Sequence, residues 1–483
     1  MKPPRNTLAR LAVACVGVLL LGWTGARAES SVRPSVPTAT CPPAPLTAVE
    51  RRIIFEALKG DEDPTEAPER SFDDATTTAT LQRYANLQLG QRVRPSQIDR
   101  LWAIEAPRRD VATELQAARQ QGRLADWLKT LEPPHANYRR LSSEQCRYRA
   151  IVDAGGWRSL PAGTPIKPGD RGAAVEALRL RLAAEGYSLD VGPPAPSFDA
   201  GLVDALRAFQ RRHDLEVDGV LGAETRRELD ISAEDRLMQI DANLERWRWL
   251  PHDLPDDRLE LDTGAAEATL YVAGRPALQM RAIVGDPSHK TPMFASRVDA
   301  VVFNPPWNVP DSIARKEILP KAARDPGYLS RNGFVRTTQG LQQRPGPGNA
   351  LGQVKFDLRS PFGVYLHDTP GRASFARRAR TLSHGCMRLE QPRELAERLL
   401  AVQGWARARI DQAIAAGSTQ RVSLRNPMPL FVVYRTASVD QDGWATFRRD
   451  RYGWDHKLLA ALANSEHARS DRPQESECSA SDR

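Results

Sequence analysis

The chain has 483 residues, 27% of them charged and 41% hydrophobic, with a formal charge of +8. It is too long for one core and too balanced for a fibrous or disordered chain, so about three globular domains are expected. The positive excess suits contact with an acidic polymer, but it is too weak to argue for nucleic acid, and no nucleic-acid motif is present.

Lys2, Arg5 and Arg10 precede an apolar run from Leu11 to Leu21, and Ala26-Arg27-Ala28 follows with the small residues of a cleavage site. Residues 1–28 therefore read as a secretory signal peptide. The run is short of the roughly twenty residues that a spanning helix needs. Losing Lys2, Arg5, Arg10 and Arg27 lowers the charge from +8 to +4. Residues 29–45, rich in Pro, Ser and Thr, read as a flexible leader. Residues 46–160 carry helical periodicity, with Leu81, Tyr84, Ala85 and Leu87 on one stripe and Val111, Leu115, Ala118 and Leu124 on another.

Residues 163–231 form a unit of three predicted helices. Val175, Leu178 and Leu182 face inward on the first, and Val203, Leu206 and Phe209 on the second. The turn Asp218-Gly219 precedes the third, from Gly222 to Leu229. Leu237 to Leu250 reads as an amphipathic helix whose Trp247 and Trp249 are packing residues. The pattern then changes to strands, at 268–272, 278–284 and 298–303. Asn304 to Pro310 cannot be a central strand, because its prolines lack N–H donors. A helical stretch over 312–323 follows. Val364-Tyr365-Leu366 delivers His367 from a strand end, and Gln391-Pro392 opens another amphipathic helix. From about residue 464 the tail is polar and reads as disordered.

The chemistry concentrates at Thr381-Leu382-Ser383-His384-Gly385-Cys386-Met387-Arg388-Leu389 and at His367. A thiol beside imidazoles suggests thiolate attack on an acyl group, with a base to take the proton and backbone amides for the oxyanion. Gly385 has no side chain, so substrate can approach the main chain beside Cys386. Zinc is the metal alternative, but His-x-Cys is tighter than usual ligand spacing and no C-x₂₋₄-C pair exists.

His367, fifteen intervening residues, then Ser383-His384-Gly385-Cys386 resembles the signature of L,D-transpeptidases with a YkuD-type catalytic domain. Residues 163–231, with Gly169-Asp170-Arg171-Gly172, Gly186-Tyr187 and Asp218-Gly219-Val220, resemble a peptidoglycan-binding domain. Tyr138-Arg139-Arg140-Leu141 and Gly155-Gly156-Trp157 resemble the helical scaffold domain of the larger Gram-negative enzymes, and residues around 304–328 resemble an insertion that caps the cleft. The resemblance implies a multidomain α+β protein: scaffold domain 46–160, peptidoglycan-binding domain 163–231 and mainly-β catalytic domain 237–463, with 464–483 as tail.

The resemblance further implies a periplasmic enzyme. It would form a Cys386 thioester with the third residue of a peptidoglycan tetrapeptide stem and pass it to the side-chain amine of another stem. Carbapenems would acylate the same thiol, and no cofactor or metal is needed. His367 is assigned as the base, with pH dependence expected near neutrality. His384 is assigned to orienting the loop or touching substrate, Ser383 to positioning His367, and the Gly385 and Cys386 amides to the oxyanion. Arg388 has two readings, a bidentate grip on a substrate carboxylate or a salt bridge within the loop. Tyr365 and Trp307 line the cleft or pack in a core. Hydrolysis by an L,D-carboxypeptidase or endopeptidase, and a non-enzymatic wall-binding scaffold, are the rival functions. The oligomeric state and the acceptor are not legible. Cys41, Cys146 and Cys478 accompany Cys386 after signal removal, and a Cys41–Cys146 bridge is one pairing in an oxidising compartment.

Overall fold

A computed structural model describes residues 52–54, 74–187, 189 and 197–470. The expected signal peptide and leader, Cys41 and Cys478 lie outside the described residues.

Helices α1 (Asp74–Gln88), α2 (Val111–Gln120), α3 (Leu124–Lys129) and α4 (Ala136–Asp153) build the N-terminal region. Leu81, Tyr84 and Ala85 of α1 pack against Val111, Leu115 and Ala118 of α2, the stripes that the periodicity marks. Asp110 starts α2 by accepting from the Thr113 N–H at 3.2 Å, a cap that contributes about 1 kcal/mol. Between α1 and α2 a two-residue strand, β1 (Trp102–Ala103), joins the distant main sheet, with Trp102 opposite Met293. Nothing in the helical periodicity announces it.

The three-helix module is as expected: α5 (Ala173–Ala184), α6 (Ala200–Arg212) and α7 (Ala223–Leu229). Its core holds Val175, Leu178, Leu182, Leu206 and Phe209. Buried Gln210 clamps the turn at Asp218-Gly219, donating to the Asp218 carboxylate at 2.7 Å and accepting from the Gly219 N–H at 2.9 Å. Gly219 sits at φ +75°, where a side chain would be strained. Helix α8 (Ala233–Arg248) then carries Trp247, and Trp249 follows it; both are buried. The rings of Trp249 and Trp102 lie 5.7 Å apart, so the tryptophans pack as expected.

Eight strands form the main sheet's ring: β2 (Arg258–Asp262), β3 (Glu267–Val272), β4 (Arg275–Gly285), β5 (Met293–Phe303), then β9 (Val354–Leu358), β10 (Leu366–His367), β12 (Met387–Leu389) and β13 (Gln420–Val433). Their order is β5-β13-β2-β3-β4-β12-β10-β9, and pairing of β9 with β5 closes the ring. A short strand, β11 (Thr381–Ser383), pairs with β4 from outside this path. Helices α9 (Pro392–Leu400) and α10 (Arg407–Ala415) add Leu395, Leu399 and Ile410 to the barrel core.

The proline-rich segment after β5 becomes a cap with its own sheet, β6 (Trp307–Asn308), β7 (Phe334–Thr337) and β8 (Gly340–Gln343), around Val309, Ala314, Ile318, Phe334 and Leu341. Its helical stretch, 311–324, holds a π-turn at Ala314–Ile318. Pro320 lies just beyond, and its missing N–H removes one α-helical bond there.

A hairpin, β14 (Ala437–Val439) and β15 (Ala445–Phe447), and helix α11 (Trp454–Ser470) complete the chain. Helix α11 runs past residue 464, where a disordered tail was expected. Its apolar residues Leu458 and Leu462 bury against Trp454 and Phe447, and the alanines at 460, 461, 463 and 468 favour helix along it. Residues 471–483 lie outside the described residues.

Candidate active site

Parallel pairing of β10 with β12 sets Leu366 opposite Met387 and His367 opposite Arg388. Side chains alternate along a strand, so Leu366 and Met387 enter the barrel core. His367 and Arg388 therefore take the other face, together with Tyr365 and Cys386 one step upstream. The Met387 N–H donates to the Tyr365 carbonyl at 3.0 Å and carries the register to that pair. A thiol and an imidazole nineteen positions apart in sequence thus share one face of adjacent strands. Burying Met387 contributes about 2–3 kcal/mol to holding that register.

His367 is buried, and its Nδ1 lies 2.5 Å from the Asp368 carbonyl. A carbonyl only accepts, so Nδ1 carries the proton and Nε2 keeps its lone pair. Burial first, then the positive charges of Arg388 and Lys355, push the imidazole down to about 3, against the carbonyls of Asp368 and Leu351. His367 is therefore neutral throughout the ordinary pH range. This corrects the expectation that its own titration sets a pH dependence near neutrality: a buried ring between two cations gives up its charge.

Burial pushes the Cys386 thiol up, while the amide and hydroxyl of Tyr365 and the charges of Arg388 and Lys355 pull the other way. The resting pair is a thiol and a neutral imidazole. Tyr365 interacts through its hydroxyl with both the Cys386 sulfur and the Trp307 indole, so the cap reaches the thiol through one phenol. The Tyr365 and His367 rings are 5.7 Å apart, edge to face. Of the two readings for Tyr365 and Trp307, the cleft is the one the structure supports for Tyr365; Trp307 does both, packing near Phe334 as well.

Ser383 differs from its assignment. Its hydroxyl donates to the Cys386 carbonyl at 2.5 Å and accepts from the Gly385 N–H at 3.2 Å, so it staples the turn and does not position His367. The Gly385 amide is thereby turned inward, which removes it from the oxyanion role. Among the described residues the Cys386 N–H has no acceptor, and it remains available. Gly385 itself sits at φ +103°, a conformation that only glycine adopts freely, and its carbonyl accepts from Thr291 Oγ1 at 2.9 Å.

His384 points away from the barrel. Its Nε2 meets Glu317 of the cap at 2.9 Å, and its ring lies 4.6 Å from His289, which faces Asp286. Arg388 is half-buried beside Cys386, its Nε has no partner, and it makes no ion pair among the described residues. The salt-bridge reading of Arg388 is thus not what the structure shows.

Sequence reasoning missed Lys355, opposite His367 on β9 with Nζ 4.7 Å from the Tyr365 ring centroid, because only the register makes it a neighbour. It also missed Glu317, and Tyr452, whose hydroxyl donates to the Gly285 carbonyl at 2.7 Å behind the catalytic turn. Among the described residues no group of three or more His, Cys, Asp or Glu could hold a metal ion, and no helix is long and apolar enough to cross a membrane.

Residues 256–417 match the model of an L,D-transpeptidase catalytic domain, residues 171–229 that of a peptidoglycan binding domain and residues 49–144 that of a scaffold domain. An L,D-transpeptidase of Haemophilus influenzae is 34% identical over 215 residues, 40% of this chain and 44% of that protein. The N-acetylmuramoyl-L-alanine amidase CwlL of Bacillus licheniformis is 37% identical over 71 residues, 15% of this chain and 20% of that protein. The chain thus spans less than half the length of these curated relatives. Among solved structures, an L,D-transpeptidase from Mycobacterium smegmatis is 20% identical, covers 37% of this chain and 58% of its own, and aligns with a TM-score of 0.21.

Proposed function

We propose that this chain, which carries an L,D-transpeptidase catalytic domain with scaffold and peptidoglycan-binding domains, is an exported acyltransferase that cross-links peptidoglycan through a Cys386 thioester. The observation that carries the reading is the shared face of Cys386 and a buried His367 whose Nδ1–H is locked onto a backbone carbonyl.

In this reading Nε2 of His367 takes the proton from Sγ as sulfur attacks the carbonyl of the third stem residue. The oxyanion forms at the Cys386 amide, and collapse expels terminal D-alanine, which leaves with the proton from His367. An acceptor amine then attacks the thioester, gives its proton to His367, and displaces the thiolate. Arg388, half-buried with an unpartnered Nε, takes a substrate carboxylate. Export rests on the basic and apolar pattern of residues 1–28, and places the enzyme in the periplasm.

The test is mass spectrometry of a defined disaccharide-tetrapeptide incubated with the pure protein. The expected product is a dimer that has lost one D-alanine. Tripeptide alone assigns a carboxypeptidase, and unchanged substrate contradicts the reading.

A further inference from the structure

A cavity of about 620 Å³ opens where four segments meet: the three-helix module at His213–Ile231, the start of α8, residues 378–379 just upstream of β11, and the C-terminal segment at 448–459. We propose that this junction cavity, built jointly by the module and the catalytic domain, binds the glycan strand of peptidoglycan together with its carboxylate-bearing stem peptides. The proposal rests on the function above and says where the wall itself is gripped.

The charges decide the class of ligand. Half of the carboxylates on the cavity wall are paired with arginines within the protein: Glu224 with Arg378 at 2.7 Å, Glu228 with Arg236 at 2.5 Å and Asp455 with Arg246 at 2.6 Å. Asp214, Asp235 and Asp450 are left, the last hydrogen-bonded to the uncharged Tyr434 hydroxyl at 2.6 Å. Against them, Arg227, Arg449 and Arg451 have no carboxylate partner among the described residues, and Arg448 reaches only the Ser438 hydroxyl at 3.2 Å. Four guanidiniums facing three carboxylates leave the cavity a positive excess that suits anions. Its floor is apolar: Leu215, Ile231, Leu459 and Met238, the last 43% exposed, give sugar rings a surface to lie on. Its volume lies in the range of about 300–1,000 Å³ typical of small-ligand sites.

The cavity is also rigidly placed. The module is stitched to the C-terminal segment by stacking of Tyr187 on Trp444 at 5.7 Å and by Arg212–Asp440 at 3.2 Å. Below it, Arg181, His213 and Arg236 hold the buried Glu185 carboxyl well below its usual range although burial works to raise it. Arg378, two residues upstream of Arg380 and five before Ser383, ties the approach to the catalytic turn to the Asp214 carbonyl at 2.6 Å as well as to Glu224. A strand gripped here is presented to Cys386 at a spacing fixed by the fold.

The experiment pellets the full chain with purified sacculi across a salt series, using wild type, Arg449→Glu/Arg451→Glu and Arg449→Lys/Arg451→Lys. A parallel set uses sacculi whose carboxylates have been amidated. Wild type is expected to bind unmodified sacculi at least tenfold more tightly than amidated ones, with affinity falling as salt rises. The Glu variant is expected to lose that preference and the Lys variant to keep most of it, which separates lost charge from lost folding. Equal binding of wild type to amidated and native sacculi would overturn the proposal, as would wild-type binding by the Glu variant. Stronger binding to anionic phospholipid vesicles than to sacculi would also overturn it, making the cavity a membrane contact. A wild type that prefers native sacculi yet never forms a thioester would sink the transferase reading and leave this one standing.

Discussion

The two histidines of the site occupy opposite surroundings. His367 is buried in a strand of the barrel, with Nδ1 bound to a backbone carbonyl and its ring held neutral. His384 stands half-exposed on the turn and reaches out to a carboxylate of the cap. His384 stands nearer the thiol in sequence, yet it is His367 that the sheet sets on the same face as Cys386. Rigidity and a fixed tautomer, more than proximity in the chain, suit an imidazole to act as a base. An exposed imidazole paired to the cap instead serves to join two parts of the cleft.

That contrast is broken first at the nucleophile. Cys386→Ala is expected to abolish thioester formation and any carbapenem adduct by intact mass, while sacculus binding stays at the wild-type level, because the module is built from other residues. An adduct or turnover at the wild-type rate in this variant would remove the thioester mechanism. Next in size is His367→Ala, expected to slow acylation by about 10²–10⁴, the usual worth of a positioned general base. A loss under threefold in stopped-flow acylation would take the base role from His367.

Tyr365→Phe sharpens the comparison on the thiol's side. The Tyr365 hydroxyl favours the thiolate, so its removal is expected to raise the thiol's apparent pKa further and slow acylation about tenfold at neutral pH, a hydrogen bond to a charged group being worth about 1.5–3 kcal/mol. A titration of thiol alkylation against pH reads the shift, and an unchanged or lowered value would contradict it. The smallest effect belongs to the cap latch. Glu317→Gln weakens a half-exposed His384–Glu317 contact worth about 0.2–1 kcal/mol, so acylation is expected to change by no more than about fivefold. A hundredfold loss would mean that Glu317 acts on the chemistry and not on the cap.

The thiol motif, its histidine partner on the same sheet face and the three-helix module were legible because each is written in local spacing: Ser383 to Cys386 in four consecutive positions, Val175, Leu178 and Leu182 at helical intervals. What was not legible depends on register. Lys355 is a neighbour of His367 only through the antiparallel pairing of β9 with β10. β1 enters the barrel from the helical region as a two-residue edge, too short to leave an alternation. Ser383 and Gly385 were named as site residues, but a motif does not say which way an amide points, and here the turn closes on itself. The pH expectation changes for a similar reason: sequence shows a histidine, and burial beside Arg388 and Lys355 pushes its charge away.

The account turns on His367 acting as a neutral base toward a raised thiol, and the most direct measurement is the acylation rate by a carbapenem from pH 5 to 9. With an imidazole that protonates only near 3 and a thiol pushed up by burial, the wild-type rate is expected to run flat through acid and neutral pH. It should rise only on the alkaline side, as free thiolate appears. His367→Ala should lose the plateau and keep the alkaline rise, and His384→Ala should keep both at a lower level. A wild-type profile with an inflection at ordinary imidazole pH, kept in His367→Ala and lost in His384→Ala, would contradict the assignment and make His384 the base.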